Sequence, residues 1–381
     1  LYPTIANCWA SLIVEECVRN GITQFFIAPG SRSTPLTMAV AEHGSVKSWV
    51  HVDERALGFI ALGAAKASQT PVAIITTSGT AVANLMPACC EAYADNVPLL
   101  LLTADRPPEA HQTGANQTMK QSYFFKDVVG WDSVFPVPTT DVSAEYVLST
   151  VDLAIKELNH QQLPVHLNCQ FRKPFPPVGN TTDYSDYLNS VNDWMNSTRP
   201  YTTYSKPNIE IDISDIKGCI EGAPSKGFIA ASGYLTELEV KQVLKTAEHL
   251  NCPILTDATS PLHFISHNHI FQNIQLVLNS ETRTTCDWIL QLGRPILSES
   301  LNQYFKAVKP TIIHINPTSF KQDPNNQVRH CIMAKIGSTC ESIRTLVDKV
   351  EGNSKTSFYQ ERDQLNLLEQ AKEQLQQDDC K

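Results

Sequence analysis

Apolar residues in the first 180 positions follow two alternating spacings. In the opening segment they recur about every three to four residues, which is typical of a helix buried on one face. These positions are Ile5, Trp9, Leu12, Ile13, Cys17 and Val18, and Asn20-Gly21 then supplies a C-cap. Short apolar runs, typical of buried strands, lie at 24–28, 72–76, 99–103 and 165–168. The alternation predicts an α/β domain, with helices on both faces of a parallel sheet.

The pattern changes at 174–207, where Pro, Asn, Thr, Ser and Tyr replace the periodic apolar residues. Such a stretch indicates a linker between domains. Beyond it the alternation returns, and Thr236 with Glu239 forms a capping box ahead of an amphipathic helix. Apolar runs that predict strands lie at 227–231, 253–256, 288–292 and 311–315. We therefore predict a second α/β domain, so that the chain has two doubly wound parallel-sheet domains.

The predicted boundaries are 1–180 for the first domain, 181–210 for the linker, 211–350 for the central domain and 351–381 for a connection to a further domain. At 357–381 the chain is polar except for one apolar stripe, formed by Leu365, Leu368, Ala371 and Leu375. The stripe predicts a helix that stops without a cap. We expect the chain to be a fragment of a longer protein.

Composition excludes several classes of function. The chain has 381 residues, of which 42% are hydrophobic, so each domain can fill a core. No segment approaches the roughly 20 apolar residues of a membrane span, and the first residues lack the layout of a secretory signal. The net charge is −9 without a run of Lys and Arg, which argues against a nucleic-acid partner. The 11 cysteines include no CxxC pair and are interpreted as thiols in a reducing compartment.

Polar segments follow the predicted strands of the first domain. In an open parallel sheet, ligands bind at the carboxyl ends of the strands, so these segments are candidate binding loops. They read PGSRSTP at 29–35, HVDER at 51–55, TTSGTAVAN at 76–84, TADRPPE at 103–109 and GANQ at 114–117.

In this order and at these separations, the five segments resemble the pyrimidine-binding domain of the 2-succinyl-5-enolpyruvyl-6-hydroxy-3-cyclohexene-1-carboxylate synthases, a family of thiamine-diphosphate-dependent enzymes. The resemblance continues through VHLNC at 165–169 and, more loosely, through the central domain. It implies decarboxylation of 2-oxoglutarate and addition of the resulting succinyl carbanion equivalent to isochorismate, in menaquinone or phylloquinone biosynthesis. The implied enzyme is a transferase.

The family's third, diphosphate-binding domain has no counterpart in this sequence, which contains no Gly-Asp-Gly. The resemblance therefore implies thiamine diphosphate with Mg²⁺ or Mn²⁺ as cofactors, whose diphosphate and metal ligands lie outside this chain. It also implies a homodimer or homotetramer, because the active site is shared between two subunits, and a fragment that is inactive alone. The implied compartment is the cytoplasm, or a plastid in a photosynthetic eukaryote.

Glu54 has a defined task in the implied chemistry. A carboxylate hydrogen-bonded to N1′ of the aminopyrimidine favours its imino tautomer, whose nitrogen then deprotonates C2 of the thiazolium ring. The resemblance makes Glu54 the catalytic residue and places Thr77, Ser78 and Gly79 against the cofactor. Gly79 would permit close approach of the backbone. The alternatives are an ion pair of Glu54 with Arg55 and an ordinary strand-to-helix turn at Gly79.

Arg32 and Arg106 answer a different need, because both implied substrates are dianions and the chain has net negative charge. A guanidinium binds a carboxylate through two parallel hydrogen bonds, which Lys cannot do. By resemblance, Ser31, Arg32 and Arg106 contact substrate carboxylates. Asn116 and Gln117 would supply neutral hydrogen bonds.

Other interpretations stay open at the level of sequence. Arg106 can instead form a surface ion pair with Asp105 or Glu109, and Gly30-Ser31 can be a helix cap. The chain can also belong to another thiamine-diphosphate-dependent decarboxylase or acetolactate-type enzyme, against which the two arginine segments argue. A third hypothesis is a non-catalytic binding subunit, which the missing third domain favours.

Overall fold

The computed structural model describes residues 1–175, 181–205, 213–223, 227–271, 286–318 and 322–348. The chain divides into two compact units, Leu1–Pro207 and Asn208–Lys381, and each is described by itself. Within these ranges, no helix combines the length and the apolar character needed to cross a membrane.

The first unit alternates strands and helices. Its strands are β1 (Gln24–Ile27), β2 (Lys47–Val50), β3 (Val72–Thr76), β4 (Leu99–Asp105), β5 (Trp131–Phe135) and β6 (Val165–Gln170). Its helices are α1 (Ile5–Arg19), α2 (Thr34–Glu42), α3 (Glu54–Ser68), α4 (Thr80–Ala83), α5 (Met86–Ala94), α6 (Ala144–Gln161), α7 (Ser185–Leu188) and α8 (Asn192–Met195). Short 3₁₀ turns lie at Ser31–Ser33, Pro108–Ala110, Lys126–Val128 and Asn189–Val191.

The six strands form one parallel sheet in the order β2-β1-β3-β4-β6-β5. After β1 the chain continues to β2, which pairs with β1 on one side, whereas β3 pairs with β1 on the other side. After β3 the chain continues to β4, which lies farther from β1. The connections after β1 and β3 therefore diverge, which opens a crevice at the carboxyl ends of these two strands. The predicted binding segments 29–35 and 76–84 follow these strand ends.

Alternate strand residues pack on opposite faces of the sheet. Phe25 and Leu100 belong to a buried cluster with α1, α2 and α6, whereas Phe26 and Leu101 belong to another with α3 and α5. Full burial of one such leucine stabilises the fold by about 1.5–3 kcal/mol relative to exposure. Helices therefore cover both faces, which confirms the predicted doubly wound sheet.

Residues 185–202 lie within the predicted linker but pack on the first unit. Arg19 of α1 donates a hydrogen bond to the carbonyl oxygen of Trp194 (2.7 Å), and its guanidinium carbon lies 3.9 Å from the centre of the Trp194 ring. The indole Nε1 of Trp194 donates to the buried carboxylate of Glu16 (2.5 Å). The observed division after Pro207 thus differs from a linker at 181–210, and the predicted domain boundaries stay a prediction.

The second unit is a second α/β layer structure. Its strands are β7 (Gly227–Ser232), β8 (Ile254–Thr256), β9 (Ile270–Phe271), β10 (Trp288–Gly293), β11 (Thr311–Ile315) and β12 (Val328–Ile332). Its described helices are α9 (Ser214–Gly222), α10 (Glu237–Leu250), α11 (Glu299–Val308) and α12 (Ile336–Leu346), with a 3₁₀ turn at Pro261–Phe264. The strands form a parallel sheet in the order β12-β11-β10-β7-β8-β9.

Helices again cover both faces of this second sheet. The predicted capping box is present at α10, where the N–H of Glu239 donates to Oγ1 of Thr236 (3.2 Å) and Oε2 of Glu239 accepts from the N–H of Thr236 (3.0 Å). The helices α10 and α12 pack in one cluster with Leu290, and α11 packs in another with Ile289. The second predicted doubly wound domain is therefore confirmed.

Every strand predicted from an apolar run is present, as β1, β3, β4, β6, β7, β8, β10 and β11. The further strands of the described ranges are β2, β5, β9 and β12, and each lies at an edge of its sheet. β2 has the sequence KSWV, with all four residues exposed, and contains no apolar run that would predict a strand. The helix predicted at 357–381 lies outside the described residues.

Candidate functional site

The loops after β1 and β3 touch at the crevice. Gly30 precedes the 3₁₀ turn Ser31–Ser33, and a Cβ atom on Gly30 would lie 2.4 Å from Cβ of Thr77. A larger residue at position 30 would displace the Thr77 side chain, so glycine is required for this approach. Thr77 and Ser78 are buried, whereas Ser31 is exposed. Gly30-Ser31 begins a helical turn, as the alternative interpretation predicted, and this does not exclude contact with an anion.

Gly79 closes the buried turn after β3 in a left-handed conformation, with φ of +85°. A Cβ atom there would lie 3.1 Å from the carbonyl oxygen of Gln117, which shows how closely the 114–117 loop covers the turn. The N–H of Gly79 donates to Oε1 of Gln121 (2.8 Å). Gly79 is also the N-cap of α4, so the turn leads from strand to helix whether or not it contacts a cofactor.

Glu54 is the first residue of α3. Asp53 caps the helix by accepting a hydrogen bond from the N–H of Ala56 (2.8 Å). The half-buried Glu54 side chain accepts at Oε2 from Nδ2 of Asn84 (3.0 Å), the residue that ends α4. Among the described residues, Asn84 rather than Arg55 is the partner of this carboxylate, and its Oε1 atom receives no donor. One oxygen is thus held in place, while the other stays available to a ligand.

Arg32 is buried beside the same crevice, with 6% of its surface exposed. Its Nη1 donates to the carbonyl oxygen of Phe171 (2.6 Å), and its guanidinium carbon lies 4.4 Å from the centre of the Phe175 ring. Burial and, to a smaller extent, the nearby positive charge of Arg106 lower the pKa of Arg32 to about 10, although the negative charge of Asp105 opposes them. The guanidinium therefore stays charged at pH 7, with one side fixed by backbone and aromatic ring.

Arg106 follows β4 and reaches the loop that carries the predicted amide ligands. Its Nη2 donates to the carbonyl oxygen of Asn116. Its Nε is buried and has no hydrogen-bond partner in the described part of the chain. Glu109, an alternative partner, is instead paired with Arg172 (Nε to Oε1, 2.5 Å). Arg106 is therefore oriented toward the loop but keeps an unfilled donor, which suits an anionic ligand.

A buried polar network lies next to these loops, and the sequence patterns do not predict it. Asn168 on β6 donates from Nδ2 to Oδ2 of Asp105 (2.8 Å). Its Oδ1 accepts from Oγ1 of Thr103 (3.0 Å) and from Nε2 of Gln121 (3.0 Å). Asp105 also accepts at Oδ1 from the N–H of Arg106 (2.7 Å). One signal was available, because Asn168 is a polar residue in a fully buried strand and needs partners.

His166 completes the network as a fully buried ring. Its Nε2 lies 2.7 Å from Oγ1 of Thr103, and Thr103 gives its own proton to Asn168. We therefore infer that Nε2 of His166 carries the ring proton and donates to Thr103. Nδ1 is buried without a partner among the described atoms. Burial lowers the pKa of His166 to about 3, so the ring is neutral at pH 7.

The predicted site residues thus fall on neighbouring loops of the first unit. The 114–117 loop meets Gly79 on one side and Arg106 on the other, and Asn116 and Gln117 are exposed there. Glu54 joins the Gly79 turn through Asn84 and the short helix α4. The described residues contain no cluster of three or more His, Cys, Asp or Glu side chains suited to a metal ion. The ligand roles of the site residues stay predictions.

Two family descriptions match the chain. Residues 9–124 match the thiamine pyrophosphate enzyme, N-terminal TPP binding domain. Residues 185–377, about half of the chain, match the middle domain of thiamine pyrophosphate. The first match contains the crevice and most of its loops.

Similar curated proteins are named 2-succinyl-5-enolpyruvyl-6-hydroxy-3-cyclohexene-1-carboxylate synthase. The chain is 38% identical to that of Salinibacter ruber over 360 residues, which cover 90% of this chain and 59% of the relative. It is 38% identical to that of Shewanella halifaxensis, covering 86% and 57%, and 35% identical to that of Aeromonas salmonicida, covering 88% and 59%. The chain therefore spans less than two thirds of the length of these relatives.

Two solved structures share the fold. They are the thiamine diphosphate-dependent 4-hydroxybenzoylformate decarboxylase of Rhodococcus jostii RHA1 and the benzoylformate decarboxylase of Polynucleobacter necessarius, with TM-scores of 0.65 and 0.64. Each covers 91% of this chain, which covers 63% and 62% of theirs. The identities are 15% and 14%, so this likeness shows the fold and not the substrate.

Proposed function

This chain belongs to the thiamine pyrophosphate enzymes, and from that premise we propose that it forms the N-terminal and middle portions of a 2-succinyl-5-enolpyruvyl-6-hydroxy-3-cyclohexene-1-carboxylate synthase. The proposed activity is decarboxylation of 2-oxoglutarate and addition of the resulting four-carbon unit to isochorismate, in menaquinone or phylloquinone biosynthesis. The observation that carries the proposal is the Glu54 carboxylate, fixed by Asn84 at one oxygen and open at the other.

The residues of the crevice fit the pyrimidine half of thiamine diphosphate. When bound, this cofactor supplies the electron sink for decarboxylation of a 2-oxo acid. Glu54 would hold a proton at N1′ of the aminopyrimidine, a task that needs a carboxylate with a free acceptor site. The buried Thr77-Ser78 segment would line the ring, and Gly79 would let the backbone turn toward the ring because its φ of +85° favours glycine.

The two arginines fit the proposed dianionic substrates. Arg32 presents a charged guanidinium whose position is fixed by Phe171 and Phe175, and Arg106 has a buried Nε without a partner among the described residues. A substrate carboxylate would be attracted and oriented by the two guanidinium groups. Ser31, Asn116 and Gln117 would add hydrogen bonds from the loops on either side.

We assign the diphosphate and metal ligands, for Mg²⁺ or Mn²⁺, to a region equivalent to the part of the curated relatives that this chain does not cover.

An exposed apolar surface beside Glu54 supports association with a second copy, as a homodimer or homotetramer. Its residues are Trp49 and Val50 on the edge strand β2, Val52 in the turn that follows, and Phe59 and Ile60 on α3. Large exposed apolar patches mark interaction sites.

The similarity to bacterial proteins supports a cytoplasmic location over a plastid.

The test is Glu54→Gln in the complete natural protein. This change keeps the shape and removes the charge, so we expect turnover of isochorismate with 2-oxoglutarate to fall by about 100-fold or more. The melting temperature should stay at the wild-type value, because the half-buried Glu54 makes one hydrogen bond to the described residues. Glu91→Gln is the matched control, since Glu91 is an exposed glutamate of the same unit, and its turnover should equal that of the wild type.

Near-normal turnover of Glu54→Gln would contradict the assigned role. Consumption of pyruvate in place of the two proposed substrates would favour the alternative of a different thiamine-diphosphate-dependent decarboxylase. The substrate assay therefore tests the specificity separately from the role of Glu54.

A further inference from the structure

Gln121 is a buried amide that uses both of its functional ends. Only 1% of its surface is exposed. Its Oε1 accepts from the N–H of Gly79 (2.8 Å), and its Nε2 donates to the carbonyl oxygen of Ala104 (3.1 Å) and to Oδ1 of Asn168 (3.0 Å). An apolar residue of the same size would leave three buried polar groups without this partner.

These three hydrogen bonds join separate parts of the candidate site. Gly79 belongs to the turn predicted to contact the cofactor, and Ala104 lies two residues before Arg106. Asn168 extends the connection, because it also donates to Asp105, whose carboxylate accepts from the N–H of Arg106. Gln121 therefore connects the turn after β3 with the end of β4.

Gln121 also anchors the loop that carries the predicted substrate amides. It lies four residues after Gln117, whose carbonyl oxygen would be 3.1 Å from a Cβ atom on Gly79. Asn116 accepts a hydrogen bond from Arg106 at the other side of this loop. A shift of Gln121 would thus move Asn116 and Gln117 relative to both the cofactor turn and the arginine.

We propose that Gln121 is a positioning residue, which sets the distance between the Gly79 turn and the loop of Asn116 and Gln117 through its three buried hydrogen bonds. Its effect on substrate rests on the proposed function, whereas its effect on the loops does not. Its hydrogen bonds among the described residues go to Gly79, Ala104 and Asn168, so it would act through Gly79 and the 114–117 loop.

The experiment compares Gln121→Met with Gln112→Met in the complete natural protein. Gln112 is an exposed glutamine of the same loop region and serves as the matched control. For Gln121→Met, we expect at least one of the two substrate KM values to rise about tenfold while kcat changes less than about threefold, because misplaced binding groups weaken binding of the substrate and the transition state alike. Gln112→Met should keep both constants.

Hydrogen exchange provides a readout that does not depend on activity. In Gln121→Met, amides at 77–79 and 114–118 should exchange at least about tenfold faster, whereas β3 and β4 should keep wild-type protection. Unchanged loop exchange in the folded variant would overturn the proposal. Faster loop exchange with unchanged KM values would reduce Gln121 to a structural residue and would also overturn it. If the wild type does not use the proposed substrates, the proposed function fails and the exchange data alone decide the positioning role.

Gln121→Glu is the second variant, for the case in which the methionine variant does not fold. It keeps an acceptor for the N–H of Gly79 but, once ionised, loses both donated hydrogen bonds. We expect wild-type exchange at 77–79, faster exchange at 114–118 and a raised KM. Wild-type exchange throughout, or a wild-type KM, would overturn the proposal.

Discussion

Both sheets are parallel and six-stranded, yet their carboxyl edges hold an acidic side chain in opposite ways. Asp257, which follows β8, is buried and accepts hydrogen bonds from Oγ of Ser232 (2.8 Å) and from the N–H groups of Thr259 (3.0 Å) and Leu297 (2.9 Å). The hydroxyl of Thr259 also donates to it. Glu54, which follows β2, is half-buried and has Asn84 as its partner among the described residues.

The difference separates a structural carboxylate from one suited to chemistry. A carboxylate has about four acceptor sites, and the donors around Asp257 fill them. This side chain connects the end of β7 with the loops that follow β8 and β10, and it has no acceptor site left for a ligand. Glu54 keeps such capacity next to a crevice. Burial alone therefore does not mark the functional acid, whereas an unfilled acceptor at a strand end does.

The largest expected effect comes from removing each of these two carboxylates in turn and comparing the loss of stability. Asp257→Ala leaves several buried donors without an acceptor and should lower the free energy of unfolding of the second unit by about 3–5 kcal/mol. Glu54→Ala should change the stability of the first unit by less than about 1 kcal/mol. Urea titrations followed by segment-resolved hydrogen exchange measure the two units separately.

Asp257→Asn is the control for that comparison, because it keeps one acceptor oxygen and should lose roughly half as much stability. A cost below about 1 kcal/mol for Asp257→Ala would contradict the structural assignment. So would an equal loss of stability in Asp257→Ala and Glu54→Ala.

A buried acidic pair within the first unit extends the comparison to pH. Glu16 is fully buried and accepts from Trp194 and from the N–H of Tyr201 (2.6 Å), while Asp152 accepts from the N–H of Thr202 (2.6 Å). Burial and, to a smaller extent, the neighbouring carboxylate of Asp152 together raise the pKa of Glu16 to about 8. The native unit therefore holds a proton that the unfolded chain, with a Glu pKa of about 4.3, has already lost.

The sign of the pH dependence follows from this proton. Its stabilisation is fully present below about pH 4.3 and is lost as the pH rises through about 8, so the first unit should become less stable by about 2–4 kcal/mol across that window. Asn20, at the end of α1, donates from Nδ2 to Oδ1 of Asp152 (2.8 Å) and is unchanged in this test.

Unfolding of the first unit in urea between pH 5 and pH 9 measures this slope. Asp152→Asn removes one of the two charges and should flatten the slope, although its absolute stability falls because the N–H of Thr202 loses part of its acceptor. A wild-type stability that is constant or rises from pH 5 to pH 8 would contradict the raised pKa of Glu16 in the native unit.

The hydrophobic pattern predicts the centre of each sheet and misses its edges. The inner strand β4 is buried at all seven of its residues and begins with four consecutive leucines, an apolar run that signals a strand. The edge strand β2 is exposed at every position, and the edge strand β12 only alternates between half-buried and exposed residues. Edge strands are held by backbone hydrogen bonds to one neighbour, and these bonds do not require a run of apolar side chains.

The candidate site shows the same division between local and distant information. Glu54 and Arg32 stand in short segments that the resemblance identifies, and the structure places those segments at one edge. The contact of Gln121 with Asn168 joins residues 47 positions apart, and the contact of Glu16 with Trp194 spans 178 positions. No local spacing encodes either contact, so neither the polar network nor the packing of the predicted linker on the first unit could be predicted from the sequence.

The smallest expected effect concerns the ion pair of Glu109 with Arg172 near the carboxyl end of β4. The pair is bidentate, at 2.5 and 3.0 Å, and the hydrogen bonds from Arg172 lower the pKa of Glu109 to about 2. Its side chains are nevertheless 55% and 57% exposed, so water and salt compete with the pair. We expect Glu109→Gln to leave the melting temperature unchanged within the error of a thermal scan.

The same variant tests whether Arg106 is free for substrate. If Glu109 serves only Arg172, its neutralisation should leave the substrate KM values of the complete protein unchanged, because Arg106 is oriented by Asn116 and keeps its unfilled Nε. Arg172→Gln is the matched control, since it removes the other half of the pair and should behave identically. A changed KM in Glu109→Gln but not in Arg172→Gln would mean that Glu109 also acts on Arg106. The alternative interpretation, an ion pair of Arg106 with Glu109, would then be supported. Arg106 would no longer be a group with an unfilled hydrogen-bonding position, and the contrast with Asp257 would rest on Glu54.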